Sequence, residues 1–408
     1  MKKLSLLCLF PLLAFSGNLQ QLLTLAEQNK QVEASRYSLE ASKEKEYATK
    51  SSYLPNLTLG ATQTFNQESN MFAAEKNATG TATISFTIYD GGKREASFEQ
   101  QQALVKSATF ALASVQNNIS LDVIYYYYNY LSTLANKEST LKKMEQLEAE
   151  RNRLEKFLSV GAITADELQK IVSSIEQTKV DLLTLDNTLN NISNTLEYLT
   201  GQEVNVEKGS TIAYKENTNN EENKRLDILA LEESVQSNKS EIQMAKAPNL
   251  PTIALQNTYS KHDFDYPIAT ENLKEQNSVQ LSMQWKIFDF ASTSSNAQAA
   301  YLNYLSKNSE LSYAKYKAKA SFKNAQNSYK TSLAKIEAAK AKLQASEMTY
   351  ELIKKKFQQG IVNNVSYLDA LSDKFNSNSQ LQTALNEVEY QKAVLLYEMG
   401  ENIKGAIQ

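Results

Sequence analysis

The stretch Ser278-Val279-Gln280-Leu281-Ser282-Met283-Gln284-Trp285-Lys286-Ile287 alternates without a break. Val279, Leu281, Met283, Trp285 and Ile287 fall on one side of an extended chain, and Ser278, Gln280, Ser282, Gln284 and Lys286 on the other. A period of two marks a strand with different surroundings on its two faces. Three more stretches repeat it. Leu57, Leu59, Ala61 and Phe65 oppose Thr58, Gly60, Thr62 and Thr64; Ala82, Ile84, Phe86 and Ile88 oppose Thr81, Thr83, Ser85 and Thr87; Ile253, Leu255 and Tyr259 oppose Thr252, Gln256, Thr258 and Ser260. A small soluble sheet packed on a helix would alternate in the same way. Here, however, each strand is about ten residues long, enough to cross a bilayer at a tilt, and the polar faces of Thr, Ser and Gln suit a water-filled lumen. Four strands cannot close a barrel, and an open edge in lipid would leave backbone groups unpaired. Several chains must therefore share one barrel, and three copies would supply 12 strands.

Outside the strands the chain is poor in turn-formers. It has 11 Gly and 5 Pro in 408 residues, well below the ordinary usage of roughly 7% and 5%. A large β-sandwich or a many-crossover α/β enzyme would need more of both at its connections. Residues 93–160, 162–200, 268–359 and 361–399 contain neither, and the first of these could form a helix of about 100 Å. The glycines also reveal a duplication. Gly161 and Gly201 are 40 residues apart, as are Gly360 and Gly400, and the two pairs are offset by 199. The same offset carries Tyr89-Asp90 onto Phe288-Asp289, and an offset of 196 carries Leu54-Pro55 onto Leu250-Pro251. Each copy reads as a helix, two strands, one very long helix, a Gly-marked turn and a second helix of about 38 residues.

The helix after Gly161 carries Leu168, Ile171, Ile175, Leu182, Leu185, Leu189, Ile192, Leu196 and Leu199 in steps of three and four, interrupted at Thr178. This is a left-handed coiled-coil seam. After Gly360 the spacing of Leu368, Leu371, Phe375, Leu381, Leu385, Val388 and Leu395 includes a stutter near Asn378. The long helices have fewer large apolar residues, and 301–359 holds 12 Lys against 4 Glu. Helices of that kind have water on more than one side, as in a single-layered tube.

Residues 1–16 read as a secretory signal: Lys2 and Lys3, an apolar run from Leu4 to Phe15, and the small residues Ala14 and Ser16 before the cleavage point. Cys8, the only cysteine, lies within that run and is preceded by Leu7, which does not suit lipidation. The formal net charge of −3 gives no sign of nucleic-acid binding. With one histidine, His262, and no cysteine after the leader, a nucleophilic hydrolase is excluded. His262, Asp263 and Asp265 fall short of a metal-ligand set, so neither a metal nor a cofactor is expected. Tyr125 to Tyr128 point all round a helix and are expected to pack between neighbouring helices.

The order of these features is what identifies a family. Leu54-Pro55 precedes a strand pair, Tyr89-Asp90-Gly91-Gly92-Lys93 opens a long helix, and Phe157 to Gly161 and Leu199-Thr200-Gly201 follow; their partners are Phe288-Asp289, Lys356-Phe357-Gln358-Gln359-Gly360 and Leu396-Tyr397 to Gly400. The pattern resembles the TolC family of outer-membrane efflux proteins over essentially the whole mature chain. The resemblance implies a mainly α chain with a β-barrel membrane part: a coiled-coil helical tunnel joined to a trimeric 12-stranded outer-membrane barrel, most of it in the periplasm of a Gram-negative bacterium. It implies passive export, for efflux or type I secretion, with a homotrimer embedded in outer-membrane lipid and joined to a periplasmic adaptor and an inner-membrane pump or ABC transporter. The expected organisation is a leader at 1–16 and an efflux protein at 17–408. Repeat 1 covers 17–201 with strands at about 57–89, a linker and helix follow at 202–248, and the rest of repeat 2 covers 249–408 with strands at about 251–288.

The same resemblance places Gly161 and Gly360 at the turns of the tunnel's periplasmic tip. Asp369 matches a family aspartate that faces the pore axis, while a second acidic ring is replaced by Ser366. Phe357 stands where a family tyrosine can make a closing hydrogen bond and Val362 where an arginine can, so those latches are absent or relocated. Glu167 is a further possible tip contact, although Thr164 and Glu167 also have the spacing of a capping box. The competing reading is a periplasmic coiled-coil adaptor or scaffold without a pore, which would have no use for four ten-residue strands with a lipid-like face.

Overall fold

The structure, a computed structural model, describes residues 15–68, 75–215, 224–265 and 274–408. In chain order the elements are β1 (Phe15–Gly17), α1 (Leu19–Ala26), α2 (Lys30–Ser52), β2 (Asn56–Phe65), β3 (Lys76–Tyr89), α3 (Lys93–Ser159), α4 (Ala165–Thr200), β4 (Val204–Val206), α5 (Leu226–Lys246), β5 (Thr252–Asp265), β6 (Glu275–Gln284), α6 (Ser292–Gln358) and α7 (Asn364–Met399). The duplication is visible in the lengths. The long helices α3 and α6 each have 67 residues, and α4 and α7 each have 36. None of the described helices is long and apolar enough to cross a membrane. The chain divides into two compact units, one of residues 1–34, 113–226 and 316–408 and one of residues 35–112 and 227–315.

The second unit holds an antiparallel sheet in the order β2-β3-β5-β6. Its register keeps like faces together: Thr58 lies opposite Thr83, Thr83 opposite Thr258, and Thr258 opposite Ser278, while Leu57 lies opposite Ile84 and Leu255 opposite Leu281. Side chains bond along the polar face, with Thr83 Oγ1 3.3 Å from Thr258 Oγ1 and Ser85 Oγ 2.5 Å from Asn56 Oδ1. Among the described residues nothing covers the apolar face, and Leu281 is 68% exposed. Several strand ends differ from the sequence reading; β5 runs on to Asp265 and β6 begins at Glu275, and two others have a local reason. β3 starts at Lys76 rather than Thr81, because Ala78 and Gly80 continue the alternation with residues too small to register as apolar. β6 ends at Gln284 rather than Ile287, because β5 begins at Thr252 opposite Gln284 and offers nothing further to pair with.

Matching carboxylates start the two long helices. Asp90 Oδ1 accepts from the Arg94 amide at 3.2 Å, and Asp289 Oδ2 accepts from the Thr293 amide at 2.9 Å and its hydroxyl at 2.5 Å. Those bonds to Thr293 hold the Asp289 carboxyl below the usual carboxylate range. Arg94 donates to the Thr87 carbonyl and lies 4.9 Å from the centre of the Tyr53 ring, tying the foot of β3 to α2 and α3.

In the other unit, β1 pairs in parallel with β4, Phe15 opposite Val204 and Gly17 opposite Val206. Phe15 and Ser16 thus belong to a strand although they fall within the expected leader; the rest of that leader, with Cys8, lies outside the described residues. The tyrosine run divides its work. Tyr127 and Tyr128 are buried and donate to the carbonyls of Glu207 (2.7 Å) and Ser210 (3.0 Å), fastening the segment after β4, while Tyr125 meets Tyr390 of α7 edge-on at 5.3 Å. The α4 seam buries Ile171, Ile175, Leu189, Ile192, Leu196 and Leu199, and Thr178 joins it, its hydroxyl satisfied by the Ser174 carbonyl. In α7 the stutter is filled by buried Ser377 and braced by Asn378, which donates to Ser139 of α3, while Leu385, expected in the seam, is exposed.

Candidate functional site

Both hairpin turns are built the same way. Helix α3 ends with the Gly161 amide donating to the Leu158 carbonyl (3.0 Å) and the Ala162 amide to the Phe157 carbonyl (2.9 Å); α6 ends with Gly360 to Phe357 (3.0 Å) and Ile361 to Lys356 (2.9 Å). These are Schellman caps, which need a left-handed residue after the helix. Gly161 has φ +72° and Gly360 φ +74°, and a Cβ on either would meet open space. Glycine is required here by backbone conformation and not by crowding.

The helices that leave the turns are capped differently. Asn363 Oδ1 accepts from the amide of Ser366 at 3.0 Å and also from its hydroxyl at 3.0 Å. Ser366 is thereby engaged in the start of α7. Thr164 makes no side-chain cap, so the capping box expected with Glu167 does not form; its hydroxyl serves the Asp166 carboxylate instead, which, with Lys170, sits below the usual carboxylate range. Asn364, 2% exposed, donates to the Glu167 carbonyl at 3.0 Å and joins the start of α7 to the start of α4. Asp369 lies one turn into α7 with its side chain exposed.

Behind the turns is an aromatic and cationic core. Phe357 is 8% exposed and stacks on Tyr367 with ring centres 4.8 Å apart and planes at 15°. Arg153 lies 5.0 Å from the Phe357 ring centre and 5.3 Å from that of Phe157, and its Nε is 3.0 Å from Glu150 Oε1. Burial pushes the Glu150 carboxyl above the ordinary range, Arg153 opposing. Burial likewise raises the Tyr367 hydroxyl. Val362 and Ile163, related by the 199 offset, pack against the same core. Of the residues singled out from sequence, Gly161, Gly360 and Asp369 are exposed, Glu167, Ser366 and Val362 are half-buried, and Phe357 is inside the chain's own core. Sequence reasoning missed Asn363, Asn364 and Arg153. The 199 offset could have found Asn363, since it falls on Thr164; nothing marked Arg153, whose partner Phe357 is remote in sequence.

The family described as Outer membrane efflux protein matches residues 22–202 and 218–399, one stretch in each repeat. The outer membrane protein TolC of Salmonella enteritidis is 21% identical over 395 residues, covering 92% of this chain and 80% of that protein. TolC of Escherichia coli (strain K12) is 22% identical over 403 residues with the same coverage. Among solved structures, the outer membrane protein VceC from Vibrio cholerae superposes with a TM-score of 0.85 at 15% identity, covering 94% of this chain and 96% of that one. The Campylobacter jejuni CmeC outer membrane channel gives 0.82 at 16% identity, covering 94% and 85%. The match to both repeats places this chain in the outer membrane efflux protein family as a non-enzymatic, TolC-like channel of the outer membrane.

Proposed function

We propose that three copies of the chain close a 12-stranded barrel around one lumen and that their hairpins form the entrance, with Gly161 and Gly360 shaping turns that meet a periplasmic adaptor. TolC-like channels are trimeric and work with adaptor and inner-membrane pump partners, and the sheet gives this chain a reason to do the same. Among the described residues its outer strands, β2 and β6, each have one unpaired edge, and its two faces are sorted, one mostly of Thr, Ser and Gln and the other mostly of Leu, Ile, Val and Met, with Gln63 and Asn257 among the polar exceptions on the latter. That sorting carries the proposal: the polar face lines water, the apolar face meets lipid, and only pairing between copies can satisfy both edges. Transport through such a duct is passive, the driving energy coming from the pump. Asp369 is the exposed acid that would ring the entrance, while Ser366 beside it is already committed to its helix cap. Mass measurement of the detergent-extracted protein should return three chains; a monodisperse monomer would sink the shared-barrel reading.

A further inference from the structure

A duplicated chain in a three-copy barrel, the reading proposed above, has two kinds of seam, one inside each chain and one between chains. Inside the chain β3 pairs with β5, and at the foot of that ladder Gly91 lies against the end of α5. A Cβ on Gly91 would come 2.5 Å from the Ala247 carbonyl oxygen and 3.0 Å from Leu250 Cβ. Moving the first partner by 199 and the second by 196 converts this seam into β6 against β2 of the next copy. The pair Thr83 and Thr258 becomes Ser282 and Thr62, Phe86 and Leu255 becomes Trp285 and Leu59, and Gly91 against Leu250 becomes Phe290 against Leu54. Leu281 then meets Gln63, and the pairs on either side, Gln280 with Thr64, Ser282 with Thr62 and Met283 with Ala61, keep polar opposite polar and apolar opposite apolar, which a one-residue slip would reverse.

Three features of the single chain point to the same place. Trp285 to Phe288 lie beyond the last pair of β6, although their counterparts Phe86, Thr87 and Tyr89 are paired. Leu54 and Phe290 are 63% and 88% exposed. Phe290 and Ala291 have φ of 51° and 65°, the left-handed region their counterparts Gly91 and Gly92 occupy without strain, and the Phe290 ring is held 4.6 Å from that of Phe288. Strained backbone persists where its surroundings fix it, and among the described residues nothing covers the Phe290 ring.

We propose that the Phe288–Phe290 clasp is the seat for the Leu54 end of α2 from a second copy of this chain, with β6 pairing to that copy's β2 in the register Ser282 to Thr62. The seam between chains is then not a repeat of the seam within them. The internal one needs glycine because a helix-end carbonyl comes too close; the external one holds two phenyl rings and is wider at its foot.

Disulfide trapping reads this directly, since the only cysteine is Cys8 in the expected leader. Residues opposite one another in a ladder have Cα atoms about 4.5–5.5 Å apart, within disulfide reach. A foot wider by about 1 Å than the internal one brings the Cβ atoms of residues 54 and 290 into the range of roughly 3.5–4.5 Å that a disulfide needs. Oxidised outer membranes carrying Thr62→Cys with Ser282→Cys, or Leu54→Cys with Phe290→Cys, should give reducible dimer and trimer bands that the single substitutions lack. Trapping of the ladder pair without the 54–290 pair would overturn the seat. Failure of both pairs in a protein that has trimer mass would overturn the register, and monomer mass would overturn the three-copy reading itself. A second readout is Phe290→Gly, which relieves the strained backbone and removes a ring that is exposed in the single chain. The trimer should dissociate at a temperature several degrees lower; dissociation at a higher temperature would show that the ring packs on no neighbour.

Discussion

Glu150 and Arg153 set an ion pair beneath the hairpin turns in a place where charge is expensive. The Glu150 side chain is 11% exposed, and burial outweighs Arg153 in raising its carboxyl. A carboxyl raised on folding favours proton uptake by the native state, so the stability it contributes is present at low pH and is lost as pH rises through the native value. Glu150→Gln keeps the shape and an acceptor for Arg153 while removing that dependence. The melting temperature of the variant should therefore gain on the parent as pH is raised from the acid side to neutrality, followed by circular dichroism; a gap independent of pH would mean that Glu150 is ionised alike in both states. Neither residue was legible in the sequence as part of a site. Arg153 meets Phe357 across α3 and α6, and a contact between two helices leaves no mark in the period of either one.

Among the elements, the strands and hairpins were legible because each has a local cause. Alternation fixed the faces of β2, β3, β5 and β6, and glycine positions fixed the four left-handed caps at Gly161, Gly201, Gly360 and Gly400. What escaped depended on partners elsewhere in the chain: the early stop of β6, the pairing of β1 with β4, and the capping choice at Thr164. The face assignment is testable. Leu281→Arg places charge on the lipid side at a cost of about 2–4 kcal/mol per strand near mid-membrane, whereas Ser282→Arg faces water. Heat-modifiable migration of the outer-membrane form should show Leu281→Arg failing to insert and Ser282→Arg inserting; equal failure would mean the faces are misassigned. The glycines give a second contrast. Gly161→Ala adds a methyl group in open space and should cost about 1 kcal/mol for the left-handed conformation alone, while Gly91→Ala also drives a Cβ to 2.5 Å from the Ala247 carbonyl and should cost more. Denaturant unfolding compares them, and equal losses would mean that the end of α5 yields freely.

At the scale of the whole molecule, an exposed acid on one chain becomes a ring when three chains share an axis. Asp369 stands near the start of α7, nine residues after the left-handed Gly360, with its side chain exposed. Its neighbours on the inner side of the helix are spoken for, since Tyr367 and Ala370 belong to the hairpin core. A carboxylate near a helix N-terminus also gains from the helix dipole, so exposure alone does not distinguish a pore position from a solvated one. Symmetry does, because three carboxylates around a narrow mouth focus a negative potential that a single one does not. Trimers reconstituted in planar bilayers should prefer cations and be blocked by multivalent cations added on the hairpin side. Asp369→Asn keeps the side-chain size and removes three charges per trimer, so the block should weaken by about tenfold or more, one decade corresponding to roughly 1.4 kcal/mol of lost cation affinity, with trimer yield unchanged. An unaltered block together with unaltered cation preference would place Asp369 on the outer surface of the hairpins, where its service to the helix end is its whole role.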